Sequence, residues 1–451
     1  MLYTLVRSLA SVALEWFYRD IEVVGLERIP RDGPLLLAVN HPNQLIDAMA
    51  VLHAVPRPVR ITAKATLFDV PVLGALLRWY RVIPLRRAKD EAARAGGGAP
   101  TVTRNAESFR AVLDALADRQ AVLIFPEGIT HNEPRLAPLR TGIARLALQA
   151  CGERGIRGVR IVPVGLVFER KWAPRTRLLV HVGEPIEMDA WPWIDVPPLM
   201  EEVESRLRAT TLNFPTAAEA ARVLGAARLL AGAFDAPRPL GAPDTPLLDE
   251  AAIARRIEEV RESLDAAQPA RVARFESRLE SLRAELEARG IPVNDVAISP
   301  AIAPGARFAV REGAIVAATA PIALWGRINH WAPLRLALRL GRRTSRGPED
   351  PAMHTVVIGL VLVLAAYAVQ TAVVWQLAGA RWALAYLLSL PVAASWDLRF
   401  RDRMHRALRR MRAYFQFRRD PTLQPRLASE LAWLRDEAVA LETLARGAPA
   451  R

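Results

Sequence analysis

From Ile21 to about Pro185, short runs rich in β-branched and aliphatic residues alternate with longer helical patterns. This alternation constrains the chain more than any other feature, because strands joined by crossover helices fold as an α/β layer structure. The candidate strands are PLLLAVN (34–40), VRITA (59–63), RVIPL (81–85), AVLIF (121–125), VRIVPVGLVF (159–168) and RLLVHVG (177–183). The stretch AGGGAPT (95–101) is glycine-rich, but no Gly-Lys-Ser/Thr follows it and no strand immediately precedes it, so it reads as a connector and not as a phosphate loop.

After Pro215 the pattern turns helical and charged. RRIEEVRESLDAAQPARVARFESRLESLRAELEARG has apolar residues every three to four positions, and Pro269 should divide it into a helical hairpin over 216–295. Too few heptads lie between the breakers for a partner-binding coiled coil. The last third changes again. Thr355 to Trp375 carries no formal charge and is long enough for a hydrocarbon core that needs about 20 residues. With WALAYLLSLPVAASW (382–396), framed by Trp382 and Trp396, it predicts a transmembrane hairpin over 351–398. Arginines crowd its approach (335–346) and exit (399–412), which puts both ends on the cytoplasmic face and makes 399–451 a basic cytoplasmic helical tail. A buried helix pair in a soluble protein is the alternative. AIVAATAPIALW (314–325) contains Pro321 and is too short to span, so 296–350 reads as an interfacial or re-entrant segment, or as plain core. Residues 1–20 form an amphipathic helix ending in Trp16, Phe17 and Tyr18, suited either to the head-group layer or to core packing.

A chain of 451 residues suggests two or three domains of roughly 100–200 residues each. Its formal charge of +14 favours anionic partners: phosphates, acidic carriers or anionic lipid head groups. Cys151 is the single cysteine, which excludes an internal disulfide and any Cys-rich metal site and fits a reducing compartment. The N-terminal apolar stretch lacks a basic start and is broken by Arg7 and Glu15, so it is expected to remain uncleaved.

There is no G-x-S-x-G elbow, no H-E-x-x-H helix and no Walker-type loop. Polar residues cluster instead at predicted strand ends, where sheet proteins place their sites. Asn40-His41-Pro42-Asn43-Gln44-Leu45-Ile46-Asp47 follows PLLLAV directly. An imidazole held by a carboxylate is a candidate general base for an alcohol. Six residues turn about 600° on an ideal helix, leaving the two side chains about 120° apart. His41 therefore belongs in the turn made by Pro42 and Asn43, with Asp47 in the first helical turn, where its charge also suits the dipole. Asp47 as a simple helix-start residue is the competing reading. Phe125-Pro126-Glu127-Gly128-Ile129-Thr130-His131 follows AVLI, and a carboxylate beside a glycine at a strand end suits a hydroxylated ligand. Lys64, Arg81, Arg86, Arg87 and Arg140 lie near strand ends or loops and can pair a phosphate.

In this order the motifs resemble the glycerolipid acyltransferase family, which includes glycerol-3-phosphate and 1-acylglycerol-3-phosphate acyltransferases. NHPNQLID resembles the family's first motif; KATLFDVPVLG (64–74) leading into RVIPLRR (81–87) the second, closing on Arg87; FPEGITH the third; PLRTGIARLAL (138–148) the step after it; and IVPVGL (161–166) the fourth. The likeness covers about residues 20–210. Two departures stand out: five residues, not the common four, separate His41 from Asp47, and Ile129-Thr130 replaces the more common Thr-Arg, with Arg135 or Arg140 available to compensate.

The resemblance implies a mixed sheet flanked by helices over 21–215. It also implies an enzyme in which His41 deprotonates a glycerol hydroxyl and Asp47 orients the imidazole. Asn40, Glu127 and Gly128 would bind the acceptor; Lys64, Arg87 and Arg140 its phosphate; and Pro163 would shape a strand-end turn beside the pocket. An acyl-CoA or acyl carrier protein thioester is the implied donor, glycerol phosphate or a lysophospholipid the acceptor, and membrane lipids the surroundings. No cofactor, metal or nucleic acid is implied. A lysophospholipid acyltransferase or transacylase on the same scaffold is the near alternative. A non-catalytic basic membrane scaffold is the distant one, and it gives no reason for ordered strand-end motifs.

Overall fold

The computed structural model describes residues 2–85, 102–192, 194–234, 245–264, 267–345, 347 and 350–447. AGGGAPT lies outside these residues, as do Arg86 and Arg87. The chain divides into two compact units, Met1–Asn213 with Leu340–Ile358 and Phe214–Arg339 with Gly359–Arg451.

The first unit runs α1 (Leu2–Phe17), β1 (Asp20–Val24), β2 (Leu35–Val39), α2 (Leu45–Ala54), β3 (Val59–Lys64), α3 (Pro71–Trp79), β4 (Ile83–Leu85), α4 (Val102–Ala117), β5 (Ala121–Ile124), α5 (Gly142–Gly152), β6 (Arg160–Phe168), β7 (Arg177–Val182), β8 (Ile186–Glu187) and α6 (Val196–Thr210). Its sheet has the order β1-β7-β6-β2-β5-β3-β4, with β8 also on β6. All neighbours are parallel except β6 with β7 and with β8, so the sheet is mixed and flanked by helices, as the resemblance implied.

β2 explains why. Every residue of LLLAV is buried, which a strand tolerates only with both faces covered. Side chains alternate as a pleat demands: Leu35, Leu37 and Val39 join one core with α1 and α2, while Leu36 and Ala38 join the opposite core with α4, α5 and α6. β2 and β5 run parallel with Ala38 opposite Ile124, so the segments following both strands leave the same edge of the sheet side by side.

Two expectations about this unit are resolved. Leu14 and Tyr18 are fully buried and Phe17 nearly so, which settles the N-terminal helix as core packing against α2. β1 was not expected: DIEVV is short, carries two acids and follows a helix almost without a break, but it pairs in register with β7 at the sheet edge.

The second unit contains α7 (Ala217–Phe234), α8 (Leu247–Leu264), α9 (Pro269–Arg289), most of α10 (Ile302–Thr344) and α11 (Asp350–Ala378), then α12 (Ala380–Arg419) and α13 (Leu423–Gly447). Pro269 opens α9 at a position where its missing N–H costs nothing. The predicted hairpin is part of a larger bundle, since Leu423, Leu427, Leu431, Leu434 and Leu441 of α13 share one core with Phe275, Leu279 and Leu282 of α9. Bidentate Arg278–Glu430 and Arg271–Glu437 pairs line that contact. Much of the segment expected to be a basic helical tail is helical and packs into this core, because its apolar residues recur at helical spacing.

The segment 314–325 is neither re-entrant nor a separate piece. It lies inside α10, a 43-residue helix that continues through Pro321 and Pro333. A proline removes one ladder hydrogen bond but need not end a helix whose flanks have no better way to satisfy their backbone groups. Among the described residues, α10 and α11 are the two helices long and apolar enough to cross a membrane. The arm predicted at 382–396 instead forms the start of the 40-residue α12, separated from α11 by Gly379 alone. Only 11% and 17% of the apolar windows of α10 and α11 are buried inside the protein, leaving Val361, Leu364, Val369, Val373 and Leu377 exposed. Apolar surface of this extent is unfavourable in water, and it suggests membrane association. The chain should therefore remain in the membrane pellet through a high-salt wash and require detergent for release; quantitative release by salt alone would count against it.

Candidate active site

The site is built on the carboxyl edge of β2, β5 and β6. Past Val39 the chain leaves the sheet, and Asn40 stitches that departure to β6: its Nδ2 donates to the Leu166 carbonyl at 3.1 Å, and its Oδ1 accepts the Leu166 N–H at 2.7 Å. Asn40 thus extends the β2–β6 ladder with a side chain. That use of its amide departs from the acceptor-binding role implied for it.

His41 follows, in the turn before α2. Its Nδ1 lies 2.9 Å from Asp47 Oδ2, and the same oxygen accepts the Asn43 backbone N–H at 2.7 Å. Asp47 stands in the first turn of α2 and is fully buried. The chain reaches this geometry through a turn extending beyond Pro42 and Asn43: Gln44 adopts φ 53° and ψ −125°, and the Ile46 and Asp47 N–H groups donate to the Asn43 and Gln44 carbonyls. A positive φ is uncommon for a side chain larger than glycine, and here it lies between the two members of the pair. With Asp47 ionised, Nδ1 carries the proton and Nε2 presents its lone pair.

The second loop leaves β5. The Phe125 ring stacks on His41 with centroids 3.8 Å apart and planes 15° from parallel. Glu127, 2% exposed, accepts the His41 backbone N–H on Oε1 at 2.7 Å. Its Oε2 accepts the Ala137 N–H at 2.9 Å and is also paired with His131 Nε2. A carboxylate so engaged holds the His41 turn against its own loop, a structural use of Glu127 beside the substrate-binding role implied for it. Gly128 has φ 69°, which glycine adopts without strain, and a Cβ there would lie 3.4 Å from Arg140 Cγ. Arg140 is exposed and donates its backbone N–H to Pro126. Lys64 ends β3 on the same edge, one strand beyond β5. Arg87 lies outside the described residues. Pro163 is not at a strand end: it is the fourth residue of β6, opposite Ala38, between the stretches that pair with β8 and with β7. A residue without an N–H is tolerated where the ladder changes partner.

Three residues support this pair, and two of them, Tyr18 and Lys171, escape sequence reasoning. Asn43 is fully buried and donates from Nδ2 to Tyr18 Oη and to the Lys171 carbonyl. Tyr18 Oη donates to that carbonyl at 3.0 Å. Lys171 Nζ donates to the carbonyls of Pro42 and His131. Tyr18 had been grouped with interfacial aromatics, and Lys171 lies beyond the fourth motif; neither carries a local signal of proximity to His41.

Burial is the largest influence on Asp47 and raises its carboxyl above the ordinary range, opposed by its hydrogen bonds to His41 and Asn43 and by the Lys171 charge. Burial likewise holds the Tyr18 phenol well above its usual value, so it stays protonated as a donor. A raised native pKa means that Asp47's contribution to stability is complete below its unfolded pKa and is lost as pH rises through the native value. Asp47→Asn should therefore compare more favourably with wild type in melting temperature at pH 8 than at pH 4, read by thermal unfolding across that range; the opposite trend would show that ionic contacts outweigh burial.

Residues 20–167 match the family model described as Acyltransferase. Among curated proteins, the chain is 34% identical over 119 residues to glycerol-3-phosphate O-acyltransferase 2 of Saccharomyces cerevisiae, covering 25% of this chain and 16% of that one. It is 24% identical over 166 residues to 1-acyl-sn-glycerol-3-phosphate acyltransferase BAT2 of Brassica napus, covering 37% and 42%. It is 29% identical over 150 residues to lyso-ornithine lipid O-acyltransferase of Brucella abortus, covering 33% and 50%. In each case the chain spans half or less of the relative's length. The solved 1-acyl-sn-glycerophosphate (LPA) acyltransferase of Thermotoga maritima aligns with 46% of this chain and 78% of its own at 18% identity and a TM-score of 0.37. The NHPNQLID and FPEGITH loops, side by side on one sheet edge, both lie within the residues that match the Acyltransferase model.

Proposed function

We propose that this chain is a membrane-bound O-acyltransferase that moves a fatty acyl group from an acyl-CoA or acyl carrier protein thioester to a hydroxyl of glycerol 3-phosphate or 1-acylglycerol 3-phosphate, in phospholipid biosynthesis. The observation that carries this reading is the 2.9 Å contact between His41 Nδ1 and buried Asp47 Oδ2, which leaves Nε2 as the proton acceptor. In the proposed reaction, Nε2 takes the hydroxyl proton as the oxygen attacks the thioester carbonyl. Collapse of the tetrahedral intermediate breaks the C–S bond, and the leaving thiolate recovers the proton from His41. No covalent enzyme intermediate is needed. General-base catalysis supplies about 10²–10⁴-fold, and the rest falls to positioning and electrostatics. Lys64, Arg87 and Arg140 are the proposed phosphate-pairing cations, with Gly128 allowing close approach of the acceptor.

Membrane attachment is consistent with this chemistry, since each buried acyl CH₂ adds about 0.8 kcal/mol to partitioning and substrates collect at the bilayer. The arginine-rich stretches at 335–346 and 399–412 favour anionic lipid head groups, and an acyl-CoA or acyl carrier protein donor puts the proposed site on the cytoplasmic face of the cell membrane. Lysophospholipid acylation or transacylation would use the same groups. A non-catalytic scaffold would have no use for a fully buried carboxylate aimed at an imidazole, which carries a desolvation cost.

Acyl-CoA, acyl carrier protein and phospholipid donors, offered in turn with glycerol 3-phosphate, 1-acylglycerol 3-phosphate and lysophospholipid acceptors, would identify the pair used by the lipid formed. His41→Ala should lose nearly all turnover, at least about 10²-fold, while keeping the melting temperature. Full activity in that folded variant would defeat the assignment.

A further inference from the structure

Three loops meet at His41, leaving β2, β5 and β6, and a single residue outside the family motifs binds to all of them. Lys171 follows β6. Its Nζ donates to the Pro42 carbonyl at 3.0 Å, beside the imidazole's own residue, and to the His131 carbonyl at 3.1 Å, in the loop that carries Glu127. Its carbonyl accepts from Asn43 Nδ2 at 3.1 Å and from Tyr18 Oη at 3.0 Å. Asn43 in turn gives its N–H to Asp47 Oδ2, the oxygen that holds His41. Side chain and main chain of one residue therefore brace the imidazole turn from two directions, with Tyr18, at the end of α1, packed beneath.

We infer that Lys171 is a positioning residue for the reaction: its ammonium sets the spacing of the His41 and Glu127 loops and supplies the fixed positive charge facing the His41–Asp47 pair. This rests on His41 acting as the base. The other titratable groups around that pair are Glu127 and His131 from the β5 loop and Tyr18 after α1. Glu127 and His131 are engaged with each other, and Tyr18 stays neutral, so Lys171 is the cation among these groups whose charge does not depend on a histidine's protonation. A cation facing the pair opposes added positive charge on it, an influence felt at Asp47. The charge and the loop geometry are separable by substitution, because arginine keeps the former without reproducing the latter.

The test uses the full chain in detergent or nanodiscs. Lys171→Met should lower kcat by about 10²-fold, as expected when a base is misplaced by around an ångström, with KM for the acceptor nearly unchanged. It should also move the acidic limb of the pH–rate profile to higher pH. Lys171→Arg should return that limb toward its wild-type position while recovering only part of kcat. Wild-type kcat in Lys171→Met would overturn the inference. So would a loss that follows the melting temperature with the limb unmoved, since that is what a merely structural residue would give. Should the wild type transfer no acyl group to any acceptor offered, the failure lies with the functional reading; the inference is then judged by NMR titration of His41 in ¹⁵N-histidine-labelled protein, assigned by difference against His41→Gln. An upward shift of the His41 titration in Lys171→Met supports it, and an unchanged titration overturns it.

Discussion

One oxygen atom organises the catalytic edge of this molecule. Asp47 Oδ2 receives both the His41 ring N–H and the Asn43 backbone N–H, and it does so from a fully buried position. A carboxylate in such surroundings is costly unless it is hydrogen-bonded, and the local backbone is arranged to supply those bonds. The positive φ of Gln44, the turn through Pro42 and Asn43, and the start of α2 two residues before Asp47 are all needed to bring both donors onto one acceptor. If His41 and Asp47 lay on one regular helix, their side chains would diverge, so the irregular turn makes the pair possible.

The motif residues divide into those left to act and those occupied in holding the others. Asn40 continues the sheet ladder, Pro163 marks a change of ladder partner and Glu127 braces the His41 backbone. Their chemistry as residue types suggests ligand contacts, but their hydrogen-bonding capacity is largely used within the protein. The His41 Nε2 edge is not used in this way, which is what the proposed reaction requires of it. A short motif can be needed for activity while only part of it touches substrate.

Two kinds of environment are built into the same chain. The α/β domain buries apolar residues on both faces of a central strand, whereas α10 and α11 leave most of their apolar residues exposed. The difference lies in the charge pattern: charged residues interrupt the strand-forming half at short intervals and are absent from 355–375. Under the proposed function such an arrangement is useful, because an acylated product partitions to the bilayer.

Much of this was legible without coordinates. Short apolar runs rich in β-branched residues located most strands, since strands covered on both faces read as continuous apolar segments, and the six-residue interval kept His41 and Asp47 from meeting on a regular helix. The chain also declared its apolar helices through length and lack of charge. It did not declare how far α10 runs past its prolines, because whether a helix survives a proline depends on what surrounds it. Nor did it reveal that the last helix completes a core with α9, or that Tyr18 and Lys171 support the site from positions 25 residues before and 128 residues after Asn43. Local spacing records what neighbouring residues must do together. Contacts between distant segments exist only once the sheet order has set β2 between β5 and β6, and that order was decided by tertiary packing.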